Sequence, residues 1–347
     1  MFKLTRQVLQ AACSRCSSAH QLLPKKTGQQ YASVRRMCIK ILDTDSEDEG
    51  SLPRRAMIYV PGSDLRKLAK LSSLHVDCAV MDCEDGVAAN QKDAARQNIS
   101  QMLDTLHTPH VRDMTVRVNS VSSGLAEDDI KTILKADRLP DTMILPKVDS
   151  VGHIQWFGDK VEQALDGREL HHKMRLLICV ESALGLLHLP ALCEEGLWQS
   201  HNTPFALEGV IFGSDDFCAD IGAHRTDDAM ELLYARQKIV TVAKAYGLQA
   251  IDLVHINYTD LQCLERQALE GAHMGFTGKQ VIHPNQIPVV QKSFTPSQEK
   301  IEWARELIDA FHEHHEDGKG AMSFRGSMID MPLVLQAKNI LRMAENT

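Results

Sequence analysis

Eight short apolar runs, separated by longer amphipathic segments, constrain the fold of this 347-residue chain more than any other feature. The runs occupy residues 56–60, 77–82, 114–118, 142–146, 175–181, 208–213, 250–254 and 279–283. Consecutive apolar residues are typical of strands in a parallel sheet that is covered on both faces. Strands that alternate with helices predict an α/β fold, and eight parallel strands close a (β/α)8 TIM barrel.

The segments between the runs have the apolar spacing of helices, as in residues 65–72, 91–103, 126–135 and 227–247. A doubly wound sheet would alternate in the same way, but no GxGxxG motif follows the first strand. The stretch GAHMGFTGK (271–279) is not a P-loop, because its glycine spacing fails and no Ser or Thr follows Lys279. The barrel is therefore the predicted fold.

The first 42 residues differ in charge from the rest of the chain. They contain eight Lys and Arg residues and no acid, although the net charge of the whole chain is −8. A basic, Ser-containing start of this kind predicts a mitochondrial transit peptide and so a location in the matrix, with a disordered basic tail as the alternative. The acidic segment 43–52 is predicted to be a linker before the fold begins at Pro53.

Composition argues against several other classes of protein. The negative net charge disfavours a general nucleic-acid binder. The sequence contains no run of eighteen apolar residues, the length that would predict a membrane span. The nine cysteines have no regular spacing, and the CxxC at Cys13 and Cys16 lacks a second pair. We expect most of the other cysteines to be reduced and buried.

The barrel is predicted to span residues 53–315, and residues 316–347 form a C-terminal extension with a terminal helix. A TIM barrel is complete without such a segment. The extension is therefore expected to cap a barrel mouth or to pack on a neighbouring subunit. A metal hydrolase built on HEHHED (312–317) is a weaker hypothesis, because those residues continue an exposed helix end.

Charged or titratable side chains follow seven of the eight predicted strands. They are Asp82 with Glu84 and Asp85, then Arg117, Lys147, Glu181, Asp215 with Asp216, Asp252 and His283. Each has a structural alternative, such as a turn, a helix cap or an ion pair. Their shared position favours function, because the carboxyl ends of barrel strands meet in one mouth where active sites lie.

In the stretch VIFGSDDF (210–217), two adjacent aspartates follow an apolar run. Hard cations such as Mg²⁺ prefer oxygen ligands, so Asp215 and Asp216 suggest a metal site. The stretch alone favours a different interpretation, a helix start with an acidic first turn. Both interpretations stay open at this point.

Nine motifs, in order and with matching spacing, carry a resemblance to a known family. They are YVPG (59–62), DCEDGV (82–87), RVNS (117–120), LPKV (145–148), VESALGLL (180–187), FGSDDF (212–217), YARQKIV (234–240), GFTGKQVIHPNQ (275–286) and GSMIDMP (326–332). Over roughly residues 53–345 the chain resembles the citrate lyase β-subunit and malyl-CoA lyase family. The resemblance implies a TIM barrel that binds Mg²⁺ and a CoA thioester, usually as a homotrimer.

The resemblance also implies roles for individual residues. It implies metal ligands at Glu181 and Asp216, Glu84 and Asp85 near the metal through its waters, and a catalytic cation at Arg117. Asp330 would be the catalytic acid/base, brought from a neighbouring subunit by the C-terminal extension. The substrate and CoA pocket would comprise Tyr59, Arg66, Lys70, Gln91, Lys92, Asp93, Ala94, Ala95, Arg96, Arg117, Ile282 and His283.

The implied reaction is the cleavage of (S)-citramalyl-CoA to acetyl-CoA and pyruvate by retro-aldol or retro-Claisen chemistry. The alternatives are a malyl-CoA lyase, a malate or 2-methylmalate synthase, and a non-catalytic CoA-binding subunit. No nicotinamide, flavin or Schiff-base lysine is expected, although Lys147 invites comparison with Schiff-base aldolases. Two departures from the family pattern are Arg66, where relatives carry Lys, and Ser214-Asp215, which replaces Gly-Glu.

Overall fold

The computed structural model describes residues 53–316 and 322–345; the predicted leader (1–42) and acidic linker (43–52) lie outside them. Eight parallel strands form a closed barrel in sequence order, and the last strand pairs with the first. The predicted TIM barrel is therefore confirmed. The strands are β1 (Ala56–Pro61), β2 (Val76–Asp82), β3 (Val111–Arg117), β4 (Thr142–Leu145), β5 (Met174–Val180), β6 (Phe205–Phe212), β7 (Gln249–Asp252) and β8 (Gly278–Val281).

α-Helices follow the strands and cover the outside of the barrel. They are α1 (Leu65–Ala69), α2 (Lys92–Thr105), α3 (Ala126–Ile133), α4 (Val151–Leu165), α5 (Ala183–Asn202), α6 (Ser214–Ile221), α7 (Leu233–Ala245), α8 (Leu261–Met274) and α9 (Ile287–Ser293). Two further helices follow. The first, α10 (Gln298–Glu316), lies in the last part of the span predicted for the barrel, and α11 (Met331–Glu345) lies in the C-terminal extension.

Side chains alternate between the inside of the barrel and the layer beneath the helices, as the period of two along a strand requires. One buried cluster comes from alternate strand residues, among them Met57, Val80, Leu177 and Ile251, and fills the barrel interior. A much larger cluster joins the outer strand faces to the helices. The six cysteines of the described chain are free and buried, as expected.

A buried ion-pair network closes the barrel at the amino ends of the strands. Arg54 is fully buried; its Nε atom lies 2.5 Å from Asp113, and its Nη1 atom lies 2.9 Å from Glu208. Its Nη2 atom donates to Thr142. This network ties the segment before β1 to strands β3, β4 and β6.

The structure departs from the predicted helix 227–247 at its start. Ala229 adopts a left-handed conformation with φ of 50°, and a short 3-10 turn, Met230–Leu232, follows it. The α-helix consequently begins only at Leu233. Residues with left-handed backbone cannot continue a right-handed helix, and this preference is not visible in the apolar spacing.

The C-terminal extension forms its own small packing unit. A two-stranded antiparallel hairpin, β9 (Met322–Phe324) and β10 (Ser327–Ile329), connects α10 to α11. The sequence analysis did not predict this hairpin. Buried residues of α10 and of the extension, including Leu307, Phe311 and Val334, form a cluster that is separate from the barrel clusters. Among the described helices, none combines the length and apolar character that crossing a bilayer requires.

Candidate active site

A cavity of about 770 Å³ opens at the carboxyl ends of the strands. It lies where active sites of TIM barrels are found. Ten of the residues predicted from the sequence line it, and they are Tyr59, Lys70, Asp82, Asp85, Arg117, Glu181, Asp215, Asp216, Ile282 and His283. The fold therefore brings together side chains that are up to 224 positions apart in the sequence.

Glu181 follows β5 and is the more buried of two carboxylates that reach the cavity from neighbouring strand ends. The residue is 5% exposed, and its Oε2 atom has no hydrogen-bond partner within the described chain. Burial, together with the neighbouring carboxylates of Glu84 and Asp216, raises the pKa of Glu181 to about 8. A buried, unpartnered carboxylate is costly, and a cation bound beside it removes that cost.

Asp216 lies opposite, in the first turn of α6, where the helix dipole favours carboxylates. Gly213 precedes this helix, and a Cβ atom there would come within 2.4 Å of the Glu181 Cγ atom. Glycine thus allows Glu181 to pass close to the chain. The adjacent Asp215 forms an ion pair with Arg225, whereas it is Asp216 that acts electrostatically on Glu181. The two adjacent aspartates therefore have different surroundings.

Arg117, at the end of β3, is held from three sides. Its Nε and Nη2 atoms each donate to Asp82 over 2.7 Å, and its Nη1 atom lies 2.8 Å from Glu84. The ring of Tyr59 lies 4.9 Å from the guanidinium carbon. Burial disfavours ionised Asp82, but Arg117 and backbone donors outweigh it and lower the pKa of Asp82. The guanidinium is consequently fixed at the cavity floor.

Lys147, after β4, was predicted from the sequence to lie at the barrel mouth, but it was given no role in the site. It adopts a left-handed backbone with φ of 53°. Its Nζ atom lies 2.8 Å from Glu84, 3.2 Å from Asp85 and 3.5 Å from Asp216. Burial opposes its charge, but these carboxylates raise the pKa of Lys147 and keep it protonated. The only sequence signal was its place at a strand end, in LPKV.

The cationic side chains that line the cavity differ from those predicted from the sequence. Lys67 and Lys70 line the cavity, whereas Arg66 is exposed and lies outside its lining. The predicted segment Gln91–Arg96 also lies outside the lining as drawn from the described residues. Lys67 was missed because its spacing on α1 is that of an ordinary exposed lysine.

Two residues of that predicted segment instead bind other parts of the chain. Lys92 donates to the backbone oxygens of Cys83 and Glu84 over 2.8 and 2.7 Å. Arg96 is buried, and its Nε atom lies 3.0 Å from Asp129. Lys92 therefore supports the loop that carries Glu84 and Asp85, whereas Arg96 joins α2 to α3, and neither of them lines the cavity.

Asp330 is exposed and lies between β10 and α11, where its backbone oxygen accepts from Leu333 and Val334. It is not part of the cavity lining of its own chain. The structure therefore does not bring Asp330 together with Glu181, Asp216 and Arg117 within one chain.

The far wall contains residues that the sequence analysis did not single out. Tyr258 stacks on His283 with ring centroids 4.9 Å apart. Gln280 donates to the backbone oxygens of Phe212 and Asp252 and links the ends of three strands. The alternation along β8 could have identified Gln280 as inward-facing, since Lys279 and Val281 point to the helices.

The donor set suits a hard divalent cation that is shared with a ligand. Within residues 53–316 and 322–345, no group of three or more His, Cys, Asp or Glu side chains is arranged to hold a metal by itself. Glu181 and Asp216 supply two oxygen donors in an accessible cavity, and Mg²⁺ typically keeps several positions for water or substrate oxygens. The residues present therefore fit such an ion.

Comparisons with known proteins find relatives over most of the chain. The chain is 56% identical over 293 residues to the mitochondrial citramalyl-CoA lyase of Homo sapiens. The matched region covers 84% of this chain and 86% of that protein. It is 30% identical to the citrate lyase subunit beta of Leuconostoc mesenteroides subsp. cremoris, over 84% of this chain and 93% of that protein.

Among solved structures, the chain is similar to CitE from Mycobacterium tuberculosis in complex with magnesium, acetoacetate and coenzyme A. The TM-score is 0.66 at 27% identity, with 84% of this chain and 98% of that chain covered. The model of the HpcH/HpaI aldolase/citrate lyase family matches residues 55–284, which include the eight strands and every cavity residue that we name. The chain belongs to the HpcH/HpaI aldolase/citrate lyase family.

Proposed function

We propose that this protein is a Mg²⁺-dependent carbon–carbon lyase that cleaves (S)-citramalyl-CoA to acetyl-CoA and pyruvate. The observation that carries the proposal is the buried carboxylate of Glu181, whose Oε2 atom has no hydrogen-bond partner within the described chain. It shares one cavity with Asp216 and the fixed guanidinium of Arg117. The similarity to citramalyl-CoA lyases supports the choice of substrate.

Glu181 and Asp216 would hold the metal ion, and the substrate would complete its ligands. A bound Mg²⁺ supplies Lewis-acid polarisation of the substrate carboxylate and the adjacent oxygen. Glu84 and Asp85 would lie near the metal ion without binding it directly. Glu84 is already shared by Arg117 and Lys147, so it is better placed to fix those cations than to bind metal.

Arg117 would stabilise the negative charge that develops on oxygen as the carbon–carbon bond breaks. Its three fixed contacts mean that it is preorganised, which is the main requirement for electrostatic stabilisation of a transition state. Cleavage converts the substrate hydroxyl to the ketone of pyruvate, which releases one proton, and it leaves acetyl-CoA as its enolate, whose carbon takes up one proton. We assign this proton transfer to Asp330.

Asp330 would act in the cavity of a second copy of the chain, because it does not line its own. For this reason we propose a homo-oligomer, and the family resemblance favours a homotrimer. We place the enzyme in the mitochondrial matrix on the basis of its basic leader and its mitochondrial relatives. Lys67 and Lys70, at the cavity edge, would bind the CoA phosphates.

The lyase assignment can be tested with purified protein lacking residues 1–42. Citramalyl-CoA and malyl-CoA are supplied separately, with Mg²⁺ or with EDTA, and acetyl-CoA release is measured. We expect Mg²⁺-dependent release that is faster from citramalyl-CoA. Faster release from malyl-CoA would favour a malyl-CoA lyase, and no release from either would overturn the lyase assignment. Hydrolysis of the thioester would identify a synthase-type activity.

Metal binding should strengthen as the pH rises towards 8. The raised pKa of Glu181 means that a proton competes with the metal below about pH 8, and its loss accompanies binding. We expect about tenfold tighter binding per pH unit between pH 6 and 7.5 in substrate-free protein, measured by calorimetry. The folding stability of metal-free protein changes in the opposite direction. The folded protein binds the Glu181 proton more tightly than the unfolded chain does, so this proton stabilises the fold at low pH. That stabilisation is lost as the pH rises to 8. An affinity that is independent of pH in this range would contradict the assignment.

Complementation between variants tests where Asp330 acts. Asp330→Asn and Arg117→Ala are each expected to be inactive alone. Co-expressed as mixed oligomers, they should recover partial activity, because an intact cavity on one copy can receive Asp330 from another. The two variants mixed as separately assembled oligomers are the control. No recovery in the mixed oligomers would show that Asp330 does not act between copies.

A further inference from the structure

Lys147 brings a positive charge to the edge of the candidate metal site. Its ammonium nitrogen is 2.8 Å from Glu84 and 3.2 Å from Asp85, and it reaches Asp216 at 3.5 Å. Asp216 is one of the two carboxylates to which we assign the metal. The ammonium group and a metal ion would therefore share a carboxylate and repel each other at short range.

The backbone around Lys147 is arranged to keep it there. A left-handed conformation is unfavourable for lysine, and it persists only where the surroundings impose it. The next amide, of Val148, donates to the Cys179 oxygen over 3.2 Å. The residue after that, Asp149, accepts from the Ser182 hydroxyl, and its backbone oxygen lies 2.7 Å from His188 Nδ1. These contacts fix the loop after β4 to the loop that carries Glu181.

The partner of Lys147 is equally fixed. One oxygen of Glu84 is 2.8 Å from Lys147, and the other is 2.8 Å from Arg117, which Asp82 holds in turn. Glu84 is only 4% exposed, so it cannot swing away into solvent. The ammonium group is thus anchored by a rigid carboxylate when a cation arrives at Asp216.

We propose that Lys147 is a positioning residue whose fixed charge weakens metal binding to Glu181 and Asp216 until an anionic substrate is present. This inference rests on the proposed metal site. A substrate carboxylate entering the cavity offsets the repulsion between the ammonium group and the metal. Metal and substrate then bind with positive coupling, and Lys147 contributes to that coupling.

Metal titration without turnover tests the proposal. Mn²⁺ binding to wild-type protein is measured by calorimetry, with and without saturating pyruvate. Lys147→Met removes the charge, and Lys147→Gly removes it and also relieves the left-handed backbone. We expect both variants to bind Mn²⁺ about tenfold more tightly than wild type without pyruvate, and pyruvate to enhance their binding less.

Two controls separate charge from other effects. Lys147→Arg keeps the charge and should bind Mn²⁺ as wild type does. Lys160→Met makes the same change at a lysine that pairs with Glu127, which does not line the cavity, and should have no effect. Circular dichroism confirms that each variant is folded.

The possible outcomes are distinct. Unchanged or weaker Mn²⁺ binding by Lys147→Met would overturn the proposal, and tighter binding by Lys147→Gly alone would do so too, since strain and not charge would be responsible. If Mn²⁺ binding to wild type is absent or is insensitive to Glu181→Gln, the proposed metal site fails and this inference fails with it.

Discussion

Glu181→Gln is expected to abolish metal binding and to lower lyase activity by roughly 10³-fold or more. The amide keeps the shape of the side chain but removes the negative charge that faces the cavity. Asp216→Asn should have a similar effect, because it removes the second of only two assigned donors. Mn²⁺ calorimetry and acetyl-CoA release measure the two consequences separately.

Asp215→Asn is the matched control for these variants. It makes the same change one residue away, in the same helix turn, but on a carboxylate that pairs with Arg225. We expect it to retain most of the metal affinity. Equal losses of metal affinity in the Asp215 and Asp216 variants would contradict the distinction between the two residues. The pair would then be interpreted as the acidic start of a helix.

Arg54→Met is expected to lower the free energy of unfolding by about 3–5 kcal/mol, the largest stability effect that we predict. It would leave Asp113, which is fully buried, without its compensating charge. The partner oxygens of Thr142 and Glu208 would also lose a donor. Urea denaturation followed by circular dichroism measures the change.

A second substitution distinguishes an unpaired charge from lost packing. Adding Asp113→Leu to Arg54→Met removes the buried carboxylate, and much of the lost stability should return. Lys292→Met breaks an exposed ion pair with Glu265 and should leave the urea midpoint unchanged. A double variant no more stable than Arg54→Met would show that packing, and not charge, is what Arg54 contributes.

The barrel could be predicted from the sequence because its signal is repeated eight times. Each strand is short, but buried parallel strands are apolar in consecutive residues, and this pattern locates them within a few positions. The hairpin β9–β10 could not be predicted in this way. Its strands have three residues each, too few to show a period, and Gly326 with a left-handed φ of 82° is the main local cue.

The candidate site was predictable where chemistry coincides with strand ends, as at Arg117, Glu181 and Asp216. Lys147 was also placed at a strand end, but its contacts could not be predicted. Its importance depends on a left-handed backbone and on distances to carboxylates from two other loops, which sequence spacing does not encode. Arg96 shows the opposite case, since a helix arginine that suits a phosphate is instead buried beside Asp129.

The burial of the cysteines has a practical consequence for following the motions of this barrel. Cys78, Cys179 and Cys193 are nearly inaccessible, and burial raises the pKa of each thiol, so native protein should react slowly with alkylating reagents. Cys179 lines the cavity, whereas Cys193 lies on the buried face of α5. Alkylation of each, read by mass spectrometry of peptides, would report separately how often the active-site end and the helical layer open.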